Sequence, residues 1–257
     1  DTERARLITE YFREHDDPSL PMIVRRARAL RHLLRNKSAR IWPDELVVGN
    51  PGSHRVSALL QPELASLWMS EDLLWIGRRK VTPLRISLRE RAYLLLRVFP
   101  YWARRNLPWR ALAGTGRLAG YVREQLNPTY YLINEAGGIG HFIPGYPEML
   151  RLGAEGFLER MEGMEGQFYE AARIALVGLT AYAERLAREA ESQARMEVDE
   201  ARRRELEEMA GILRRVPAKP ACTLHEALQS LWLTHLAVVL EGLNSAVSFG
   251  RADQYLY

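Results

Sequence analysis

Apolar residues return every three to four positions over long reaches of this chain, the spacing of helices that bury one stripe. Between 20 and 35 the stripe is Ile23, Ala27, Leu30 and Leu34. From 168 to about 196 it is Phe168, Ala172, Ala175, Leu179, Tyr182 and Leu186. The long charged face opposite marks this as a core stripe rather than a dimer seam. Leu206, Met209 and Leu213 mark a further helix near 199–214, which VPAKP ends. Ser87 with Glu90, and Thr223 with Glu226, have capping-box spacing. In that box a hydroxyl and a carboxylate satisfy amides that the first turn leaves unpaired. The boxes predict helices over 88–98, stopping before Pro100, and from Thr223 to about Leu240. Ser70 reads as the N-cap of a short helix ending at Trp75.

Three stretches break the helical period. ELVVGN (45–50) reads as a short buried strand closed by Gly49. SFGRADQYLY alternates polar and apolar residues and reads as a strand entering a polar-lined interior, where Arg251 and Asp253 would have to pair. Its position against the last residue suggests the middle of a fold rather than a frayed end. NPTYYLINEAGGIGHFIPGYP (127–147) sets aromatics between glycines and prolines. Such a loop is functional or disordered, and the aromatics argue against disorder. The expected fold class is predominantly α-helical with few short strands. No internal repeat interrupts it.

Charge changes this picture little. The 257 residues carry 36 basic and 32 acidic side chains, a net charge of +4. Only Lys37, Lys80 and Lys219 are lysines. The doublets at Arg25, Arg104, Arg202 and Arg214 lie far apart, several among glutamates, and read as solvated helix faces rather than a nucleic-acid surface. One cysteine, Cys222, excludes an internal disulfide framework and favours a reducing, cytoplasmic setting. DTERARLITE has no apolar signal-peptide core. LWLTHLAVVL is too short to span a membrane and contains His235.

Candidate chemistry is sparse. The six histidines include no His-Glu-x-x-His pair, so no metal site is expected. His32 and His225 read as helix-surface residues. GGIG (137–140) lacks the lysine and spacing of a phosphate cradle and reads as backbone that must bend tightly. His141 follows it directly. An imidazole held there is either a ligand for a polar substrate or a hydrogen-bonded loop histidine. Cys222, just before a helix start, is either a nucleophile or a small buried apolar residue.

EAGGIGHFIPGYPEMLRLG, RRELEEMAGILRRVPAKPACTLHEALQSLWLTHLAVVLEG and SFGRADQYLY, in that order, resemble the N-terminal part of glycyl-radical enzymes, the pyruvate formate-lyase-like proteins. PDELVVGN and QPELASLWM resemble the family's start. The resemblance covers residues 1–257 as the N-terminal part of one such domain. It is closest to the branch with glycerol dehydratase and choline lyase.

The resemblance implies a barrel of two half-barrels surrounded by helices. It implies a radical on a glycine near the far C-terminus and a relay cysteine on a central loop, both beyond residue 257. Cys222 falls where relatives commonly carry arginine. No catalytic residue, metal or cofactor is therefore expected in this chain, and the isolated chain is expected to lack lyase activity. The full-length enzyme would carry the glycyl radical, installed by a radical S-adenosylmethionine activase. The implied function is radical C–O, C–N or C–C bond cleavage of a small polar substrate, in anaerobic metabolism. The alternative is a non-catalytic or split-gene subunit derived from the family. Implied partners are the rest of the enzyme or a complementary chain, and a second copy in a homo-oligomer. No nucleic acid or membrane is among them. His141 and Ser248 match substrate-contacting positions, and Gly145 stands where relatives commonly have aspartate.

Overall fold

The computed structural model describes residues 1–80, 83–106, 141–242 and 246–256, with isolated positions between 109 and 123. Its described elements are predominantly helical. The N-terminal half contains α1 (Glu3–Glu14), α2 (Met22–Asn36), α3 (Pro62–Trp75), α4 (Leu88–Tyr93) and α5 (Phe99–Trp102). The C-terminal half contains α6 (Tyr146–Arg160), α7 (Gln167–Met196), α8 (Glu200–Arg215), α9 (Leu224–Glu241) and the short α10 (Ala252–Tyr255). Two strands of two residues, β1 (His141–Phe142) and β2 (Ala246–Val247), pair in parallel.

The 30-residue α7 is the spine. Its Leu179, Tyr182 and Leu186 are buried against Leu33 and Leu34 of α2 and Leu206 and Met209 of α8, in one core with Leu233 and Leu236 of α9. The stripe predicted from 168 buries only its later part, since Phe168 at its start is exposed.

The predicted strand over ELVVGN is absent. This segment is irregular, and its polar backbone is satisfied by side chains of α9. The Val48 amide donates to Gln229 Oε1 (2.8 Å), Gln229 Nε2 donates to the Val48 carbonyl (2.8 Å), and Trp232 Nε1 donates to the Gly49 carbonyl (2.8 Å). Buried peptide groups need partners, and here a helix face replaces a neighbouring strand. Ser70 caps nothing. It lies inside α3, where its hydroxyl donates back to the Ser66 carbonyl (2.7 Å). The helix predicted over 88–98 starts with its capping box, but it widens to a π-turn over Leu94–Val98 before α5. Pro100, in the first turn of α5, needs no amide donor there. Thr223 caps α9 through the Glu226 amide, while Glu226 accepts from the Cys222 amide (2.6 Å).

α6 breaks at Gly153, whose φ of 63° is in the left-handed region. The VPAKP segment enters the break. The Ala154 amide donates to the Pro217 carbonyl (2.8 Å) and the Glu155 amide to the Ala218 carbonyl (2.9 Å). A Cβ on Gly153 would stand 2.4 Å from the Ala218 carbonyl oxygen.

Candidate functional site

The two motif segments meet at the parallel ladder. His141 is opposite Ala246 and Phe142 opposite Val247, and the Ser248 amide continues the pairing to the Phe142 carbonyl (3.1 Å). Residues 141 and 248, which the sequence singles out, are thus brought together by backbone pairing. Ser248 is exposed, and its hydroxyl accepts from the Gly250 amide (3.0 Å). Gly137, Gly138 and Gly140 lie outside the described residues.

Gly250 explains how the segments pack so closely. Its φ is +66°, and a Cβ there would meet Ile143 Cγ2 at 2.9 Å. Only glycine combines that backbone with that contact at low cost. Beyond it the chain forms α10, not the predicted strand. Arg251 and Asp253 do pair, through two hydrogen bonds of 3.0 and 2.7 Å, but both are exposed on the outside of one helical turn. A polar pair two residues apart fits the start of a helix as well as a strand.

An aromatic cluster holds the ladder to α9. The His235 ring stacks on Phe249 (4.3 Å between centroids, 28°) and on Trp232 (5.9 Å, 18°). The buried Tyr146 hydroxyl is 2.8 Å from His235 Nδ1, and its ring lies 5.7 Å from that of Phe249. The Tyr255 hydroxyl donates to the Phe249 carbonyl (2.5 Å). Burial holds the His235 imidazole below its ordinary pKa, and burial together with nearby Tyr255 pushes the Tyr146 phenol up. Both groups are thus neutral near pH 7. Sequence reading missed His235 and Tyr146. The usable signal was an aromatic-rich HFIPGY and a histidine inside an otherwise apolar helix.

Phe142 also lines an apolar cavity of about 300 Å³ with Leu176, Leu179, Thr234 and Ala237. A cavity of about 560 Å³ is bounded instead by α1, α2 and α5, with Phe12, Leu30, Tyr101 and Trp102 in its walls.

The remaining candidates fall elsewhere. Cys222 is exposed, with Arg215 Nη2 donating to its sulfur (2.8 Å). Between Thr223 and His235 α9 advances roughly 18 Å at 1.5 Å per residue, so Cys222 is far from the ladder. His32 is half-buried beside Tyr11 and His15 rather than on an open surface. His225 is also half-buried, and its Nε2 is 2.8 Å from the Leu46 carbonyl. Among the described residues no group of three or more His, Cys, Asp or Glu side chains has metal-site geometry. Among them, too, no helix is long and apolar enough to cross a membrane.

Residues 1–257 match the Pyruvate formate lyase-like family, and this chain belongs to it. It is 32% identical over 275 residues to the Probable dehydratase YbiW of Escherichia coli K12, covering 100% of this chain and 33% of that protein. The crystal structure of a glycyl radical enzyme from Archaeoglobus fulgidus superposes with a TM-score of 0.90 at 32% identity, over 100% of this chain and 34% of that one. The glycerol-bound B12-independent glycerol dehydratase of Clostridium butyricum gives 0.88 at 30% identity, over 99% and 34%. The matched proteins are glycyl radical dehydratases and lyases. The chain spans about a third of the length of the relatives it matches.

Proposed function

We propose that this chain forms the N-terminal part of a glycyl radical lyase or dehydratase, supplying scaffold helices and one wall of a substrate pocket. The observation that carries the proposal is the parallel ladder between β1 and β2, which joins the two motif segments across 107 positions (248 − 141). In the full-length fold a barrel would continue from this ladder. A protein-borne glycyl radical, generated by a radical S-adenosylmethionine activase, would supply the one-electron chemistry that starts bond cleavage. The work of this chain is binding. The His141 imidazole and the Ser248 hydroxyl orient a small polar substrate through hydrogen bonds, each contributing about 0.5–1.5 kcal/mol net. The neutral Tyr146–His235 pair keeps the wall in place from behind.

The test uses the full-length enzyme after activation. His141→Ala should leave the glycyl-radical EPR doublet intact while lowering turnover about tenfold. An intact doublet with unchanged turnover would remove His141 from the pocket. A full-length protein that gives no doublet after activation would sink the assignment to a radical enzyme.

A further inference from the structure

Tyr146 differs from the other tyrosines in what its hydroxyl meets. Tyr101 donates to the Phe12 carbonyl (2.8 Å) and Tyr255 to the Phe249 carbonyl (2.5 Å). Tyr182, equally buried, receives instead from the Lys37 ammonium (2.9 Å). Among the described residues, only the Tyr146 hydroxyl faces a nitrogen base, His235 Nδ1 at 2.8 Å. A buried phenol needs an acceptor for its proton, so Tyr146 donates to Nδ1 and the imidazole carries its own proton on Nε2. Tyr146 is 0% exposed, covered by residues of this chain itself.

This arrangement sets the redox chemistry of the phenol. Removing an electron from a phenol makes its O–H proton strongly acidic. In a buried site the resulting cation is costly unless the proton can leave. At Tyr146 a base already accepts that hydrogen bond. A peptide carbonyl, as at Tyr101 and Tyr255, is too weak a base to take the proton, and the ammonium at Tyr182 has no lone pair. Burial keeps His235 neutral beforehand, which leaves its lone pair available. The imidazolium formed afterwards has support as well. The ring stacks on Phe249 (4.3 Å) and on Trp232 (5.9 Å), and aromatic faces attract a cation. Phe249 is next in sequence to Ser248, and its ring lies 5.7 Å from that of Tyr146, so the pair adjoins the ladder.

We propose that Tyr146 and His235 form a redox-active pair, an escape site for a radical that finds no substrate at the pocket wall. Tyr146 gives one electron to a thiyl radical there, and its proton moves to His235 Nδ1. The products are a thiolate, a neutral phenoxyl radical and an imidazolium, so electrons, protons and charge balance. Return of the electron from the thiolate, with the proton moving back to the phenol oxygen, restores the starting state. The escape role rests on this chain being part of a radical enzyme, whereas the redox property of the pair does not.

Two measurements on the full-length protein separate the two. The first needs no glycyl radical. The unactivated protein is flash-photolysed with a ruthenium(III) polypyridyl oxidant generated in the flash, and phenoxyl absorption is followed. Wild type should give a long-lived phenoxyl component that forms more slowly in heavy water. Tyr146→Phe should lose that component, and so should His235→Phe, in which the phenol remains without its base. Circular dichroism melts confirm folding, and Tyr146→Phe keeps its ring in the cluster. If His235→Phe does not fold, the Tyr146→Phe comparison and the solvent isotope effect decide alone. A pair that only packs the wall gives the same phenoxyl trace with and without the Tyr146 hydroxyl, which overturns the proposal. The second measurement is EPR on the activated enzyme without substrate. A tyrosyl signal beside the glycyl doublet, absent from Tyr146→Phe, is the expected result. A doublet with no such signal overturns the escape role and leaves the radical-enzyme assignment standing. No doublet at all overturns that assignment and the escape role with it, and the photolysis result still decides the pair.

Discussion

The Tyr146 hydroxyl and His235 Nδ1 lie 2.8 Å apart, joining the segment that follows β1 to the middle of α9. Phe249 stacks on the same imidazole, so one histidine holds both motif segments. Burial keeps His235 neutral by lowering its pKa below the ordinary 6.5. Below pH 6.5 the unfolded chain therefore takes up this proton more readily than the folded one. Stability tied to His235 is present near neutral pH and falls as pH drops through the folded pKa. His235→Phe keeps a ring for stacking but cannot titrate. Urea unfolding at pH 7.5 and 5 should show a smaller acid loss in the variant than in the wild type. It should also show a constant deficit of about 1–3 kcal/mol from the stranded Tyr146 hydroxyl. Equal acid losses in the two proteins would remove His235 from this role.

Gly145 is the N-cap of α6, and it has no side chain to offer the first-turn amides. Its φ of −72° suits any residue, and a Cβ there has open space around it. The aspartate that the family resemblance leads one to expect would accept from those amides and favour the positive end of the helix dipole. Gly145→Asp should therefore raise stability by about 0.5 kcal/mol in thermal or urea unfolding. A loss of stability would mean that the loop needs the glycine for another reason.

Lys37 is buried, and its ammonium donates to the Asn50 carbonyl (2.6 Å) and the Tyr182 hydroxyl (2.9 Å). Desolvation lowers its pKa to about 8, from 10.5 in the open chain. Between these values the unfolded state holds the proton more strongly, so stability should rise with pH. Tyr182, whose phenol burial pushes up, acts in the opposite direction above about pH 10. The window is therefore pH 8–10, with a gain on the order of 2 kcal/mol in wild type. Lys37→Met should flatten that slope, as measured by chemical denaturation at each pH. A slope that survives the substitution would assign it to other groups.

Gly153→Ala should be far more damaging than Gly145→Asp. The left-handed backbone and the Ala218 carbonyl at 2.4 Å from a Cβ both resist any side chain. The expected loss is about 3 kcal/mol, seen as a melting temperature lower by roughly 6–12 °C. An unchanged melting temperature would show that VPAKP can withdraw from α6 at little cost.

The helices were legible because their signals are local. The stripe through Leu179, Tyr182 and Leu186 and the two hydroxyl caps each need only a few consecutive residues. Errors arose where a distant element supplied the partners. ELVVGN has the apolar run of a strand, but Gln229 and Trp232 provide its hydrogen bonds from some 180 residues away. Ser70 has a cap's chemistry, and only the reach of α3 back to Pro62 reveals it as an interior residue. Of the candidate site, sequence reading singled out only His141 and Ser248, through family resemblance. The aromatic cluster behind them was missed because stacking of His235 on Phe249 exists only after α9, α6 and the last segment assemble.

Arg4 is 1% exposed, and its guanidinium donates to the Leu240 carbonyl (2.8 Å) and the Glu241 carbonyl (3.1 Å) while pairing with Glu63. It therefore caps the C-terminal end of α9 from the first turn of the chain, 236 positions away in sequence. On a ribosome the order of arrival matters. At about 5–20 residues per second, α1 is made roughly 12–50 s before the carbonyls it caps. Through that interval the guanidinium has Glu63 and the Leu60 carbonyl but lacks its α9 partners, so α1 cannot complete its final seat. Assembly of the helical body should therefore wait for α9, and a nascent chain halted before residue 240 should leave α1 open to protease.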